Sequence, residues 1–128
     1  MSHFQAFLNA CLLDTRHVED AAIIDLNGGA VLAASHRFRL SHGQIQRILN
    51  SFEHQTATRR QGLRLNRTSY VCVRADSRSV YCKRDGDGLI LVKTALYIIA
   101  ATYNGSMCSS VCVEAVEKLA DYFREKGK

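Results

Sequence analysis

The sequence predicts an α+β domain, one antiparallel sheet with helices on its faces, and three observations carry that prediction. Short apolar runs are bounded by Gly- and Asn-bearing turns, amphipathic stripes stand at both ends of the chain, and the connections between strand-like runs are short. Parallel neighbours need crossovers of about a dozen residues or more, so consecutive strands joined this tightly are antiparallel. The expected order is helix, hairpin, helix, a run of about five strands, helix.

Ser2-x-x-Gln5 is a capping-box pattern ahead of apolar Phe4, Phe7, Leu8, Cys11 and Leu12, which predicts a first amphipathic helix ending near Asp14. Ala21–Ile24 and Ala30–Ala33 flank Asn27-Gly28-Gly29 and read as a hairpin. Ser41-x-x-Gln44 repeats the capping signal, and Ile45, Ile48, Leu49 and Phe52 mark a short second helix with one buried face. His54 to Gln61 is polar and reads as loop. Leu63–Leu65, Tyr70–Arg74 and Ser79–Lys83 follow as strands, separated by turns at Asn66-Arg67-Thr68 and Asp76-Ser77.

Leu89–Val92 and Leu96–Ala101 are rich in β-branched and large apolar residues, lie between Gly86/Gly88 and Asn104-Gly105, and read as paired strands. From Cys112 the stripe Cys112, Val116, Leu119, Phe123 predicts a closing helix buried on one side. Ser109 or Ser110 can cap it, Glu114 and Glu117 lie early, Arg124 and Lys126 late, and Gly127 follows the last turn.

With 128 residues and 47% apolar content, residues 1–128 form one globular domain able to bury a single core. No apolar run approaches the ~18 residues that span a bilayer, and no basic-then-apolar leader opens the chain, so a cytoplasmic protein is expected. Five cysteines without a Cys-x-x-Cys pair argue for reduced thiols packed as small hydrophobes. The five histidines lack metal spacing. No phosphate loop, Gly-x-Ser-x-Gly elbow or Cys-His pairing is legible, so neither enzymatic activity nor a cofactor or metal is expected. Asp85-Gly86-Asp87-Gly88 is a hairpin turn rather than a calcium loop, because Leu96 stands where the loop needs a bidentate carboxylate.

The net charge of +5 is regional: between residues 59 and 84, eight cations face Asp76 alone. Such a segment favours an anionic partner, and near an anionic bilayer each cation contributes on the order of 1 kcal/mol. Nucleic acid is disfavoured, because the strands lack the aromatic-interleaved pattern of RNA-binding sheets. Phe4 and Phe7 on the first helix and Tyr122 and Phe123 on the last can line a groove for a proline-rich peptide if those helices lie side by side.

Glu117–Gly127 looks like the closing helix of profilins, and Gly88–Thr94 like the strand before it. Ala21–Ile24, Gln61-Gly62-Leu63 and Val73-Arg74 are similar as well. Met1-Ser2-His3, Arg59-Arg60-x-Gly62-Leu63, Cys72–Asp76 and Ser110–Ala115 most resemble the divergent fourth vertebrate paralogue of that family. The resemblance implies a central antiparallel sheet of six to seven strands, N- and C-terminal helices on one face and a short helix on the other. It further implies a non-enzymatic, cytoplasmic, cytoskeleton-associated regulator with three sites. Arg74, Cys108, Ser110, Val113 and Glu114 fall on the actin-monomer face, where the last four replace His or another polar residue, Gly, Asn and Lys. Phe4, Phe7, Leu32 and Tyr122 fall in the polyproline groove, with Phe4 and Leu32 where the family has Trp. Arg59, Arg60, Arg64, Arg67, Arg74, Arg78, Lys83, Arg84, Arg124 and Lys126 suit the phosphoinositide site. The expectation is a binder of acidic phospholipids, peripheral to the membrane, with weakened actin and polyproline binding. The alternative is a working actin-monomer-binding profilin, and a third reading is an adaptor that uses the terminal-helix surface.

Overall fold

The computed structural model describes residues 3–128, so Ser2 of the first capping box lies outside the described residues. Helix α1 (His3–Phe7) runs on into a π-helical turn, Leu8–Leu12, and a single 3-10 turn, Leu13–Thr15, which Arg16 ends in the left-handed region at φ 66°. The elements that follow are β1 (Asp20–Asp25), β2 (Val31–Ala34), α2 (His42–Glu53), α3 (Gln55–Gln61), β3 (Leu63–Leu65), β4 (Thr68–Ala75), β5 (Ser79–Arg84), β6 (Asp87–Lys93), β7 (Tyr97–Tyr103) and α4 (Ser109–Glu125). The seven strands form one sheet in the order β2-β1-β7-β6-β5-β4-β3, every pair antiparallel.

Side chains alternate across a strand, so a strand covered on both faces is apolar throughout. That is the condition of β7, all seven residues of which are buried. Ile23, Ile90, Val92 and Ile99 face α1 and α4, meeting Leu8, Leu12, Val116, Leu119 and Phe123. Ile24, Leu89, Leu91 and Ile98 face the other way, onto Ile45, Ile48 and Phe52 of α2. The expected arrangement of terminal helices on one face and a short helix on the other is therefore present.

The second capping box forms as the sequence indicates: the Ser41 hydroxyl accepts from the Gln44 N–H, and the Gln44 side chain accepts from the Ser41 N–H. Residues 55–61 are helix rather than loop. They have no apolar stripe to reveal them, but the Thr58 hydroxyl donates to the carbonyls of Ser51 and His54, and Gly62 stops the turn at φ 72°. At the head of α4 the cap is Cys108, with Ser109 and Ser110 already inside the helix, and no acidic residue occupies the first turn. Helix α4 begins at Ser109, ahead of its apolar stripe, so Glu114 and Glu117 lie beyond the reach of the N-terminal dipole. At the other end Lys128 N–H bonds to Phe123 and Gly127 N–H to Arg124, with Gly127 at φ 75°, a Schellman closure.

Candidate functional site

Helices α1 and α4 lie side by side because one stripe of each is spent on the same core, and their outer edges leave a groove. Five aromatic rings build it. Phe4 meets Tyr97 edge-on with centroids 5.1 Å apart, and Phe7 lies 5.2 Å from Tyr122 and 5.7 Å from Phe123. Lys126 Nζ sits 5.6 Å from the Tyr122 ring centre. Phe4, Phe7, Tyr97, Tyr122 and Phe123, with His3, Lys126 and Lys128, surround a space of about 620 Å³. A second hollow of about 500 Å³ adjoins it across Phe7 and Tyr122 and is lined by Cys11, Val111, Ala115 and Leu119, with Glu114 and Lys118 beside it. The groove end is tied down: the Arg124 guanidinium donates to the Lys93 carbonyl at 2.8 Å, and the Thr94 hydroxyl donates to the Lys128 carbonyl at 2.8 Å.

Phe4, Phe7 and Tyr122 thus come together as the sequence suggests. Leu32 does not line this space; it is half-buried behind it, packed on the core. Tyr97 was missed, because an aromatic at the head of an apolar run reads as core.

A second surface lies where the sheet extends beyond α4. Val71 and Val73 on β4 are 68% and 59% exposed, and a bulge at Val73 shifts the register so that Cys72 opposes Cys82 and Arg74 opposes Tyr81. Opposed residues share a face, so Lys83, opposite Val71, and Arg64, opposite Ser69, point to the same open side. The Arg74 guanidinium stands 5.0 Å from the Tyr81 ring centre and its Nε 2.9 Å from Asp76. Burial alone would raise the Asp76 carboxyl, but the N–H groups of Arg78 and Ser79 and the Arg74 guanidinium hold it below the usual range. The Tyr81 hydroxyl donates to Glu117, which also accepts from Ser79 at 3.0 Å. Burial, followed by the bond to Glu117 and its charge, pushes Tyr81 up to about 12.

Ser110, Val113 and Glu114 of α4 border the same open side and, with Val73, Tyr81 and Lys83, enclose a hollow of about 340 Å³. Glu114 also pairs with Lys118 at 3.6 Å. Cys108 is exposed beside them, its Sγ 3.1 Å from the Ser110 hydroxyl; that contact, and the Val111 N–H, lower its pKa. The five positions that the resemblance assigns to an actin face are therefore gathered on one side of the molecule.

The ten basic positions are more dispersed. Arg64, Arg74 and Lys83 share the open side, with Arg67 and Arg84 at the turns that close its end; Arg78 lies at the opposite turn. Arg59 and Arg60 are on α3, where Arg59 donates to the Ala75 carbonyl. Arg124 pairs with Asp121, and Lys126 belongs to the aromatic groove. Among the described residues, Arg59, Arg60, Arg64, Arg67, Arg78, Lys83 and Arg84 make no ion pair within the chain.

Comparison with known proteins agrees with the fold. Residues 2–128 match the Profilin family model. Profilin-4 of Bos taurus is 45% identical and Profilin-4 of Mus musculus 43%, each over 128 residues and 99% of both chains. The solved structure of Acanthamoeba castellanii profilin IA superimposes with a TM-score of 0.91 at 34% identity, covering 98% of this chain and 99% of that one. With a family match along the whole chain and the same sheet and helix layout, this chain belongs to the profilin family of cytoskeletal, actin-regulating proteins.

Proposed function

We propose that this profilin engages the head groups of acidic phospholipids, phosphoinositides above all, through its basic open side, and that its actin and polyproline sites are weakened. The observation that carries the reading is the set of cations without carboxylate partners, four of which (Arg64, Arg67, Lys83 and Arg84) gather on or beside the open end of the sheet. Cations left unpaired have their full charge available to an anionic surface, at about 1 kcal/mol each. The weakening of the actin site rests on Glu114, an acidic side chain where the family has Lys, because a like charge brought into a desolvated interface costs several kcal/mol. For proline-rich ligands, Phe4 keeps apolar surface in the groove but supplies no indole N–H, and Leu32, packed on the core, does not reach the groove at all. The test is co-sedimentation with phosphoinositide vesicles against neutral phosphatidylcholine vesicles at rising salt. Binding should fall as the Debye length shrinks. No binding at low salt, together with normal retardation of actin assembly, would overturn the proposal.

A second reading, actin-monomer binding through a remodelled face, is favoured by Val71 and Val73. Two exposed valines beside the hollow formed by Val73, Val113 and Tyr81 offer an apolar centre ringed by charge, the usual anatomy of a protein interface. Measured affinity for actin monomers on the same preparation separates the two.

A further inference from the structure

The register of the sheet brings together two cysteines that stand ten positions apart in the chain: Cys72 on β4 lies directly opposite Cys82 on β5. Both side chains point to the α2 side, Cys82 fully buried in that core and Cys72 half-buried against it. Directly opposed residues of an antiparallel pair have Cα atoms about 4.5–5.5 Å apart, inside the range a disulfide spans. We infer that Cys72 and Cys82 form an oxidisable pair, which a hydroperoxide converts into a cross-strand disulfide and a dithiol returns to the reduced state.

The two sulfurs have distinct roles. Cys72 is the accessible member; its thiol is held by the Arg74 carbonyl at 3.2 Å, beside the bulge that opens the strand. The Cys72 thiol gives up its proton and the thiolate attacks one oxygen of hydrogen peroxide; the O–O bond breaks, the leaving hydroxide takes that proton and departs as water, and Cys72 becomes a sulfenic acid. The Cys82 sulfur then gives up its proton and attacks the Cys72 sulfur; the S–O bond breaks and the hydroxide departs as a second water. Two electrons pass from the pair to the peroxide. Burial, and then the neighbouring Cys72 by charge and hydrogen bond, pushes the Cys82 thiol up to about 12, which keeps it inert until the sulfenic acid forms beside it. Cys11, Cys108 and Cys112 lie on other elements, and none is paired across the sheet with another cysteine. The link would fix β4 to β5 one residue from Val73, at the edge of the open side described above.

The experiment treats folded protein carrying Cys11→Ser and Cys108→Ser, which remove the two exposed competing thiols, with a small excess of hydrogen peroxide, alkylates the remaining thiols and digests with trypsin without reduction. Cleavage after Arg67, Arg74, Arg78 and Lys83 separates Thr68–Arg74 from Ser79–Lys83, so a link between them is read directly as one joined peptide. The expected result is that joined peptide, lost on treatment with dithiothreitol and absent from Cys72→Ser, in which Cys82 stays unmodified. Accumulation of Cys72 sulfinic acid without the joined peptide would overturn the inference. So would a link that forms as readily in the urea-unfolded chain as in the folded one.

Discussion

Lys83 and Arg84 end β5 side by side, both exposed and neither in an ion pair, whereas Arg124 spends its guanidinium on Asp121 and the Lys93 carbonyl. If the open end of the sheet meets an anionic bilayer, replacing Lys83 and Arg84 by Gln removes two uncompensated charges. At about 1 kcal/mol per cation the double variant loses about 2 kcal/mol, which is roughly 30-fold in affinity. Arg124→Gln removes a cation whose charge Asp121 already offsets, and the change should stay within about two-fold. Arg37→Gln with Arg39→Gln, two exposed residues outside the basic segment, lowers the net charge equally and serves as the control. The assay is co-sedimentation over a phosphoinositide vesicle series at low salt, with urea denaturation confirming that each variant is folded. Equal weakening by the double variant and the control would refute the assignment to this surface. A loss with Arg124→Gln as large as that of the double variant would refute the argument from pairing.

Asn66 and Arg67 form the two-residue turn between paired Leu65 and Thr68, with φ 48° and 67°, and Arg67 occupies the position at which such turns favour Gly. Arg67→Gly should therefore raise the urea midpoint, by about 0.5–1 kcal/mol of stability once the greater freedom of the unfolded Gly is counted, and a lowered midpoint would contradict it. Tyr81 has its folded pKa above the unfolded value of 10.0, so its contribution to stability is fully present below that pH and is lost as pH rises toward about 12. Burial also raises Tyr70 and Tyr103, so tyrosinate absorbance after rapid pH jumps should show several late phenols, of which the last to titrate disappears in Tyr81→Phe; an unchanged last step would refute the assignment. Iodoacetamide near neutral pH should label Cys108 first, ahead of exposed Cys11, whose thiol burial raises, and should reach Cys82 and Cys112, both pushed up to about 12, only on unfolding. Early labelling of Cys112 would show that α4 opens readily.

The hairpins, the two-sided burial of β6 and β7 and the stripe of α4 were legible because period and turn chemistry report them directly. Helix α3 was not, since hydroxyl bonds from Thr58 and a stop at Gly62 hold it rather than an apolar face. The alternation of Tyr70–Arg74 was visible, but not that its outward valines stay bare; that depends on how far across the sheet α4 reaches, which no local pattern encodes. Tyr97 and Leu32 exchanged roles for a related reason. Both are apolar residues at strand positions, and only the packing of α1 against α4 decides which one meets the groove. The Cys72–Cys82 pairing was equally hidden, because the bulge at Val73 sets the register.

Helix α4 joins the two surfaces without merging them. Its buried stripe, Cys112, Val116, Leu119 and Phe123, fixes the helix to the sheet, so its exposed sides are rigidly placed. Ser110 and Val113 border the open side, Tyr122 and Lys126 border the aromatic groove, and Glu114 touches both the hollow on the open side and the one beside the groove. A bilayer drawn to Arg64 and Lys83 covers the same face on which Val71 and Val73 lie. On the proposed reading, lipid and a protein partner therefore exclude one another there by simple overlap. The groove formed by Phe4, Tyr97 and Phe123 lies toward the opposite end of α4, so a ligand in it need not be displaced by either. The carboxylate of Glu114 repels an acidic surface on the open side, and through its pair with Lys118 it also offsets a positive charge at the hollow beside the groove.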